Sequence, residues 1–361
     1  MKTPRSVLHF ISVLNSVSFS IINPLLTIVH NILFWFFHLL RWVPSFEPKV
    51  PRVDEQPTVL VTGASKGIGR CIAMRLAERG YEVFAGIRST EDGESLVAEF
   101  EDKVKIGKGK GSIHTVILDV AKDEDVASAV QTVIGHCGPK GLAGLINNAG
   151  GAIVGPLELF RDEDFYYSLD VNLFQAYKLT KKFLPALRLA KGRVINISSM
   201  MAWTFHLPGF GAYHVGKAAL SSLSTVWRRE LFKSGVAVSF VEPGSIQSEI
   251  WTKGFDSIAA HESQKEKTAG FQTFSTDPIY SDAPPELKKM YRPLFKMCEE
   301  MAYLAKEEAI PPDHVAAAVV HAMTSRWPKE RYLVGMDALW FNVMQTFVPE
   351  WMSDALGFRS W

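Results

Sequence analysis

A short apolar run, Thr58-Val59-Leu60-Val61, passes directly into Thr62-Gly63-Ala64-Ser65-Lys66-Gly67-Ile68-Gly69, and a stretch of helical character follows to about Gly80. A buried strand that feeds a glycine-dense turn and then a helix leaves few folds open. The same rhythm returns along the chain. Glu82–Gly86, His114–Leu118, Gly144–Asn147, Arg193–Ile197 and Val236–Val241 are apolar runs of strand length, with helical stretches between them, one near 122–136. Short buried strands alternating with helices predict an α/β fold: a doubly wound parallel sheet covered by helices on both faces. Such sheets bind phosphate-bearing ligands at the carboxyl ends of their strands.

The 361 residues suffice for one large domain with a core or two modest ones. Charge is nearly balanced, with 39 basic and 38 acidic residues, and no basic stripe of the kind nucleic acid requires is evident, so no nucleic-acid partner is expected. Cys71, Cys137 and Cys298 are too scattered for a disulfide framework or a CxxC site. No HExxH or Cys/His cluster accompanies His206 and His214, and no metal is expected. His214 reads as helix packing or a local polar contact.

The N-terminus is the compositional outlier. Residues 6–40 carry no Lys, Arg, Asp or Glu, and Ile21–Leu40 is long enough to cross a bilayer as one helix. Trp35, Arg41 and Trp42 suit an interface. Asn23-Pro24 could divide the run into a hairpin. Residues 1–42 are therefore read as an uncleaved membrane anchor, with a surface amphipathic helix or a dimer-forming apolar helix as the alternatives. Pro44, Pro48, Pro51 and Pro57 make residues 43–57 a stiff linker, and residues 58–361 form the single remaining domain. Lys103–Lys110 reads as an exposed basic loop.

Gly63, Gly67 and Gly69 depart from the GxGxxG spacing, but they can let the backbone turn tightly and approach a pyrophosphate at a helix N-terminus. The end of the second strand then bears on the choice of nicotinamide nucleotide. Arg88 follows it and can pair with a 2′-phosphate, and Lys66 can add a second charge. This favours NADP over NAD, with Glu91, Asp92 and Asp119 left open as adenosine-side partners.

Tyr213 and Lys217 are four residues apart, on one face of a helix. A phenol, with a pKa of about 10, is a poor proton donor or acceptor at neutral pH, and an adjacent ammonium is expected to lower that value. Ser199 lies at a strand end, where its hydroxyl could hold a carbonyl oxygen while Tyr213 protonates it. Ser198, its immediate neighbour, competes for this role.

These segments, with Asn147-Asn148-Ala149-Gly150, Asn172 and Pro243-Gly244, closely resemble the classical short-chain dehydrogenase/reductase family over about residues 58–252. The resemblance implies a Rossmann-type sheet, Tyr213 as general acid/base, Ser199 orienting substrate, and Lys217 on the nicotinamide ribose. It implies that Asn172 holds a water, that Asn147 and Asn148 support the sheet and cofactor region, and that Asp119 contacts the adenine side. Pro243 and Ile246 would border the nicotinamide, and Ser248 stands where a threonine is frequent. Glu242–Ile246 and Arg331–Ala338 further resemble the branch of retinol, 17-beta-hydroxysteroid and 3-hydroxybutyrate dehydrogenases.

Trp203, Phe205, Phe210 and Trp251 are expected to line the substrate pocket, in a cover that continues to Tyr291 and Phe295. Such a lining suits a large apolar alcohol or ketone. The anchor and the branch together point to a retinoid, steroid or other lipid at a membrane, the endoplasmic reticulum among the candidates. A small hydroxy acid with NAD, and a non-catalytic membrane scaffold, are the alternatives. Trp340, Phe341, Phe347, Trp351 and Trp361 could pack on the domain, on the partner in a homodimer, or on the bilayer.

Overall fold

The computed structural model describes residues 56–107, 110–203, 206–248 and 283–348, together with Met352. Its strands are β1 (Thr58–Val61), β2 (Glu82–Ile87), β3 (Ser112–Ile117), β4 (Gly144–Asn147), β5 (Arg193–Ile197), β6 (Ala237–Pro243) and β7 (Arg331–Val334). The helices are α1 (Gly67–Glu78), α2 (Thr90–Lys105), α3 (Asp123–Cys137), α4 (Asp162–Leu169), α5 (Gln175–Ala190), α6 (Gly211–Glu230), α7 (Pro285–Glu307), α8 (Asp313–Thr324) and α9 (Met336–Phe347). All neighbouring strands pair in parallel, in the order β3-β2-β1-β4-β5-β6-β7. The chain builds outward from β1 to β3, then returns to lay β4 on the other side of β1. This reversal opens a crevice at the carboxyl ends of β1 and β4.

Side-chain alternation sorts the core into two layers. Val59, Val61, Ile146 and Ile195 face one way, against Ile72 and Leu76 of α1, Leu96 of α2 and Val319 of α8. Leu60, Leu145 and Val194 face the other, against Val133 of α3, Phe183 and Leu187 of α5 and Trp227 of α6. Both sides of the central strands are covered, which is why they read as unbroken apolar runs. The helices differ at their starts. The Ser89 hydroxyl caps α2 by accepting from Asp92 N at 3.3 Å, and α3 opens with Asp123, Glu124 and Asp125. α1 has neither a side-chain cap nor an acidic residue in its first turn. Helices α4 and α5 are joined by a π-helical turn, Asp170–Phe174, which contains Asn172.

Two expectations are corrected. The stretch from Lys103 is not all loop, since α2 continues to Lys105. Lysines suit a helix C-terminus, and Lys103 reaches Glu78 at 2.7 Å. Arg331–Val334 is an edge strand, β7, that apolar patterning alone did not mark, because its residues alternate between half-buried and buried. The anchor at 6–40 lies outside the described residues, as does the linker except for Gln56 and Pro57. Among the described residues, no helix is long and apolar enough to cross a membrane.

Phe183 is fully buried between α5 and the sheet. Replacing it with alanine is expected to destabilise the domain by about 3–5 kcal/mol in urea unfolding. A loss below about 1 kcal/mol would contradict this packing.

Candidate active site

A cleft of about 330 Å³ runs along the carboxyl ends of the strands. Its floor begins at the glycine turn. Gly63 and Gly67 have φ of +62° and +52°, a left-handed backbone that favours glycine. A Cβ on Gly69 would stand 2.1 Å from the Gly63 carbonyl oxygen, so α1 and the turn pack as closely as backbone allows. Thr62 Oγ1 accepts from the N–H groups of Asn148 and Ala149, each at 2.9 Å. Asn148 Nδ2 donates to the carbonyls of Thr62 and Gly63 at 2.9 and 3.1 Å. These bonds stitch the ends of β1 and β4 together. Asn147 lies deeper and donates to Asn196 Oδ1 at 2.8 Å, bracing β4 against β5.

The start of α1, without a side-chain cap or an acidic residue, suits an anion, and the missing side chains permit close approach. The site therefore fits the diphosphate of a dinucleotide. Ser65, Lys66, Ile68 and Ser248 line the same stretch.

At the outer end, Arg88, Asp119 and Tyr167 border the cleft. Packing around the Arg88 guanidinium lowers its pKa, while Asp119, Tyr167 and Asp92 act in the opposite sense. Asp119 Oδ1 accepts from Ala121 N at 3.1 Å, which fixes the turn after β3. Lys66 pairs with Asp92 at 3.8 Å. No sequence pattern marked Tyr167, because its place depends on α4 lying over the cleft.

At the inner end, β5 and α6 bring Ser199, Tyr213 and Lys217 to the same cleft. Ser199 Oγ accepts from Met201 N at 3.2 Å and lies near enough to the Tyr213 phenol to influence its ionisation. Ser198 turns instead into the core, where its hydroxyl contacts Lys217 O at 3.0 Å and Ser221 Oγ at 2.8 Å. The geometry thus separates the two serines.

Lys217 is 4% exposed, and its ammonium donates to Ile197 O at 3.0 Å. Burial brings its pKa down to about 8. The expected lowering of the Tyr213 pKa is corrected. Burial raises the phenol, and only the neighbouring Ser199 hydroxyl opposes that. The ammonium lies 5.6 Å from the centre of the tyrosine ring and is directed to a carbonyl. The Asn172 side chain is engaged by backbone groups. Its amide donates to Gly151 O and Ser168 O at 2.8 and 2.9 Å, and its Oδ1 accepts from Gly151 N at 3.3 Å. The side chain braces the Gly150-Gly151 turn. A Cβ on Gly150 would lie 3.1 Å from Lys217 Nζ, so the turn closes over the ammonium.

The cleft wall beyond Tyr213 is apolar. Val154, Met201 and Phe210 line it, backed by Leu294 and Cys298 of α7, with Tyr291 packed alongside. Tyr291 also ties α7 to the turn at 157–159, donating to Glu158 Oε2 at 2.5 Å. Phe210 lines the cleft, but Trp203 does not. Its ring lies 5.8 Å from the Arg331 guanidinium, beside the buried Glu242 carboxylate. Phe205 and Trp251 lie outside the described residues. His214 is a structural clamp. Its Nδ1 donates to Met201 O at 2.5 Å, and its Nε2 accepts from Leu207 N at 3.1 Å. Burial holds its pKa at about 4, so it is neutral.

Pro243, Gly244 and Ile246 complete the inner lining. Among the described residues, no group of acidic, His or Cys side chains could hold a metal ion.

The sequence profile described as short chain dehydrogenase matches residues 57–258. Retinol dehydrogenase 7 of Rattus norvegicus is 32% identical over 313 residues, covering 86% of this chain and 90% of that protein. Human 17-beta-hydroxysteroid dehydrogenase type 6 is 30% identical over 332 residues, covering 90% and 94% of the two chains. A short-chain dehydrogenase from Streptomyces avermitilis superposes with a TM-score of 0.61 at 26% identity, over 85% of this chain and 99% of that one.

Because burial penalises the Lys217 charge, Lys217→Met is expected to raise stability by roughly 1–3 kcal/mol at pH 7. The folded pKa of about 8 lies below the ordinary value of 10.5. The unfolded chain therefore holds the extra proton between these values, and the advantage of the variant should shrink as pH rises through that window. Urea midpoints measured from pH 7 to 10.5 test this. A less stable variant at pH 7 would contradict it.

Proposed function

The chain belongs to the short-chain dehydrogenase family and is an NAD(P)-dependent enzyme acting on CH–OH groups; from that premise we propose a membrane-attached oxidoreductase that uses NADP(H) on an apolar retinoid, steroid or other lipid. The observation that carries the reading is the meeting of Ser199, Tyr213 and Lys217 in one cleft, between the glycine turn and an apolar wall. Bound in the cleft, the nicotinamide would supply or accept the hydride.

The residues of the chain handle the oxygen and its proton. In the reducing direction, the Ser199 hydroxyl donates to the carbonyl oxygen and holds it beside Tyr213. The tyrosine gives up its phenolic proton as the carbonyl carbon is reduced. The phenolate that remains has the Lys217 ammonium 5.6 Å from its ring centre, while burial raises the phenol pKa and the Ser199 hydroxyl opposes that rise. In the oxidising direction the same groups remove the proton. Asn172 acts by holding the turn that encloses the ammonium.

Arg88 supports NADP, because it stands at the end of β2 on the cleft border and offers a guanidinium to a 2′-phosphate. Val154, Met201 and Phe210 support an apolar substrate, as do relatives named for retinol and a hydroxysteroid. The uncharged run at 6–40 supports membrane attachment.

The test is a turnover screen with NADPH and NADH, in both directions, on retinoid and steroid alcohols and carbonyls. Tyr213→Phe is expected to cut turnover by about 10²–10⁴-fold while nucleotide binding persists. Retained turnover would remove the tyrosine from the mechanism. Arg88→Ala is expected to weaken NADPH about tenfold and NADH little, as loss of one charge-assisted contact implies. A wild type that strongly prefers NADH would overturn the cofactor assignment. For attachment, the full-length chain should stay with membranes in high salt and release in detergent. Release by salt alone would contradict insertion.

A further inference from the structure

The segment Arg331–Ala338 has no role in the chemistry above, yet its end presses against the loop that closes the inner cleft. Gly244 N donates to Val334 O at 2.7 Å. Gly335, with φ +109°, then turns the chain into α9. The carboxylate of Asp337 reaches back to the loop. Its Oδ2 accepts from Ser245 N at 2.6 Å, and its Oδ1 accepts from Ala338 N at 2.8 Å. Glycine makes room for it on both sides. A Cβ on Gly244 would fall 1.9 Å from Asp337 Oδ1, and one on Gly335 would fall 2.4 Å from it.

The loop is held from the other side as well. Ile310 N donates to Ser245 O at 3.0 Å, and Gln247 N donates to Ile310 O at 2.9 Å. Ser245 is therefore gripped by its carbonyl from Ile310, ahead of α8, and by its N–H from α9. On either side of it, Pro243, Gly244, Ile246 and Ser248 line the cleft.

We infer that Asp337 is a positioning residue, which sets the loop 243–248 at the nicotinamide end of the cleft without touching the nucleotide. The inference rests on the reading of the cleft as a nicotinamide-nucleotide site. The carboxylate is specific to this task. Both its oxygens accept backbone N–H groups, so asparagine can serve only one and turns its own amide hydrogens toward a donor. Alanine serves neither.

The experiment measures binding by full-length wild type, Asp337→Ala and Asp337→Asn. The ligands are NADPH and NADH, each with its adenosine fragment lacking the diphosphate, 2′-AMP or adenosine. Thermal stability is followed in parallel. Asp337→Ala is expected to weaken the better dinucleotide about tenfold, as for loss of one charge-assisted hydrogen bond, and Asp337→Asn by a smaller factor. The matching fragment, which does not reach the loop, should bind as before. Unchanged dinucleotide binding overturns the inference. So does equal weakening of dinucleotide and fragment, which is what general loosening would produce. If Asp337→Ala does not fold, the same comparison in Asp337→Asn decides. A wild type that binds neither dinucleotide brings down the reading of the cleft, and this inference with it.

Discussion

The enclosure of the Lys217 ammonium at the carboxyl edge of the sheet is the constraint on which the site depends. A buried cation is costly unless its donors are satisfied, and here the recorded acceptor is the Ile197 carbonyl at the end of β5. Meeting that acceptor fixes the rotation of α6 against β5, and hence the place of Tyr213 one turn earlier on the same helix. The cover over the charge is the Gly150-Gly151 turn, held by Asn172 from the π-helical turn between α4 and α5. β5, α6, the turn after β4 and the π turn thus meet at one atom. Such local irregularity is common where a helix must aim a functional group.

The sheet order explains why the two halves of the site face each other. Reversal between β1 and β4 separates the chain ends that would otherwise crowd the crevice. The glycine turn lies on one side of the opening, and the ends of β4, β5 and β6 lie on the other. Asn148 and Thr62 bind the two sides together without filling the gap. Glu242, at the end of β6, is fully buried and is held by Arg331 at 2.5 Å and by Ser221 at 2.8 Å. Burial raises its pKa, and the Arg331 guanidinium opposes that rise. The edge strand β7 therefore does more than extend the sheet, because it anchors the strand end from which the inner loop departs.

Much of this was legible in the chain because it depends on local pattern. Thr58–Gly69 spells strand, turn and helix start within a dozen residues, and the spacing of Tyr213 and Lys217 needs only a helix. The choice of Ser199 over Ser198 needed the structure, because neighbouring hydroxyls on an extended segment point opposite ways and only packing says which way is inward. The direction of the Tyr213 shift was misread for a related reason. Spacing puts an ammonium nearby, but it does not report that burial outweighs it or that the ammonium faces a carbonyl. Its neighbours in sequence place Trp203 at the pocket, yet Glu242 and Arg331, on distant strands, draw it away. Tyr167 and Asp337 reach the cleft region only through the packing of α4 and α9, and no short window of sequence contains that information.

The most direct test of this account is the ionisation of Lys217 itself. Heteronuclear NMR titration of lysine-labelled, nucleotide-free protein, with the side-chain signal assigned through Lys217→Met, reports it without reference to turnover. The account predicts a midpoint near 8. A midpoint at the ordinary lysine value of about 10.4 would mean that water reaches the ammonium, and the enclosed charge described here would not exist.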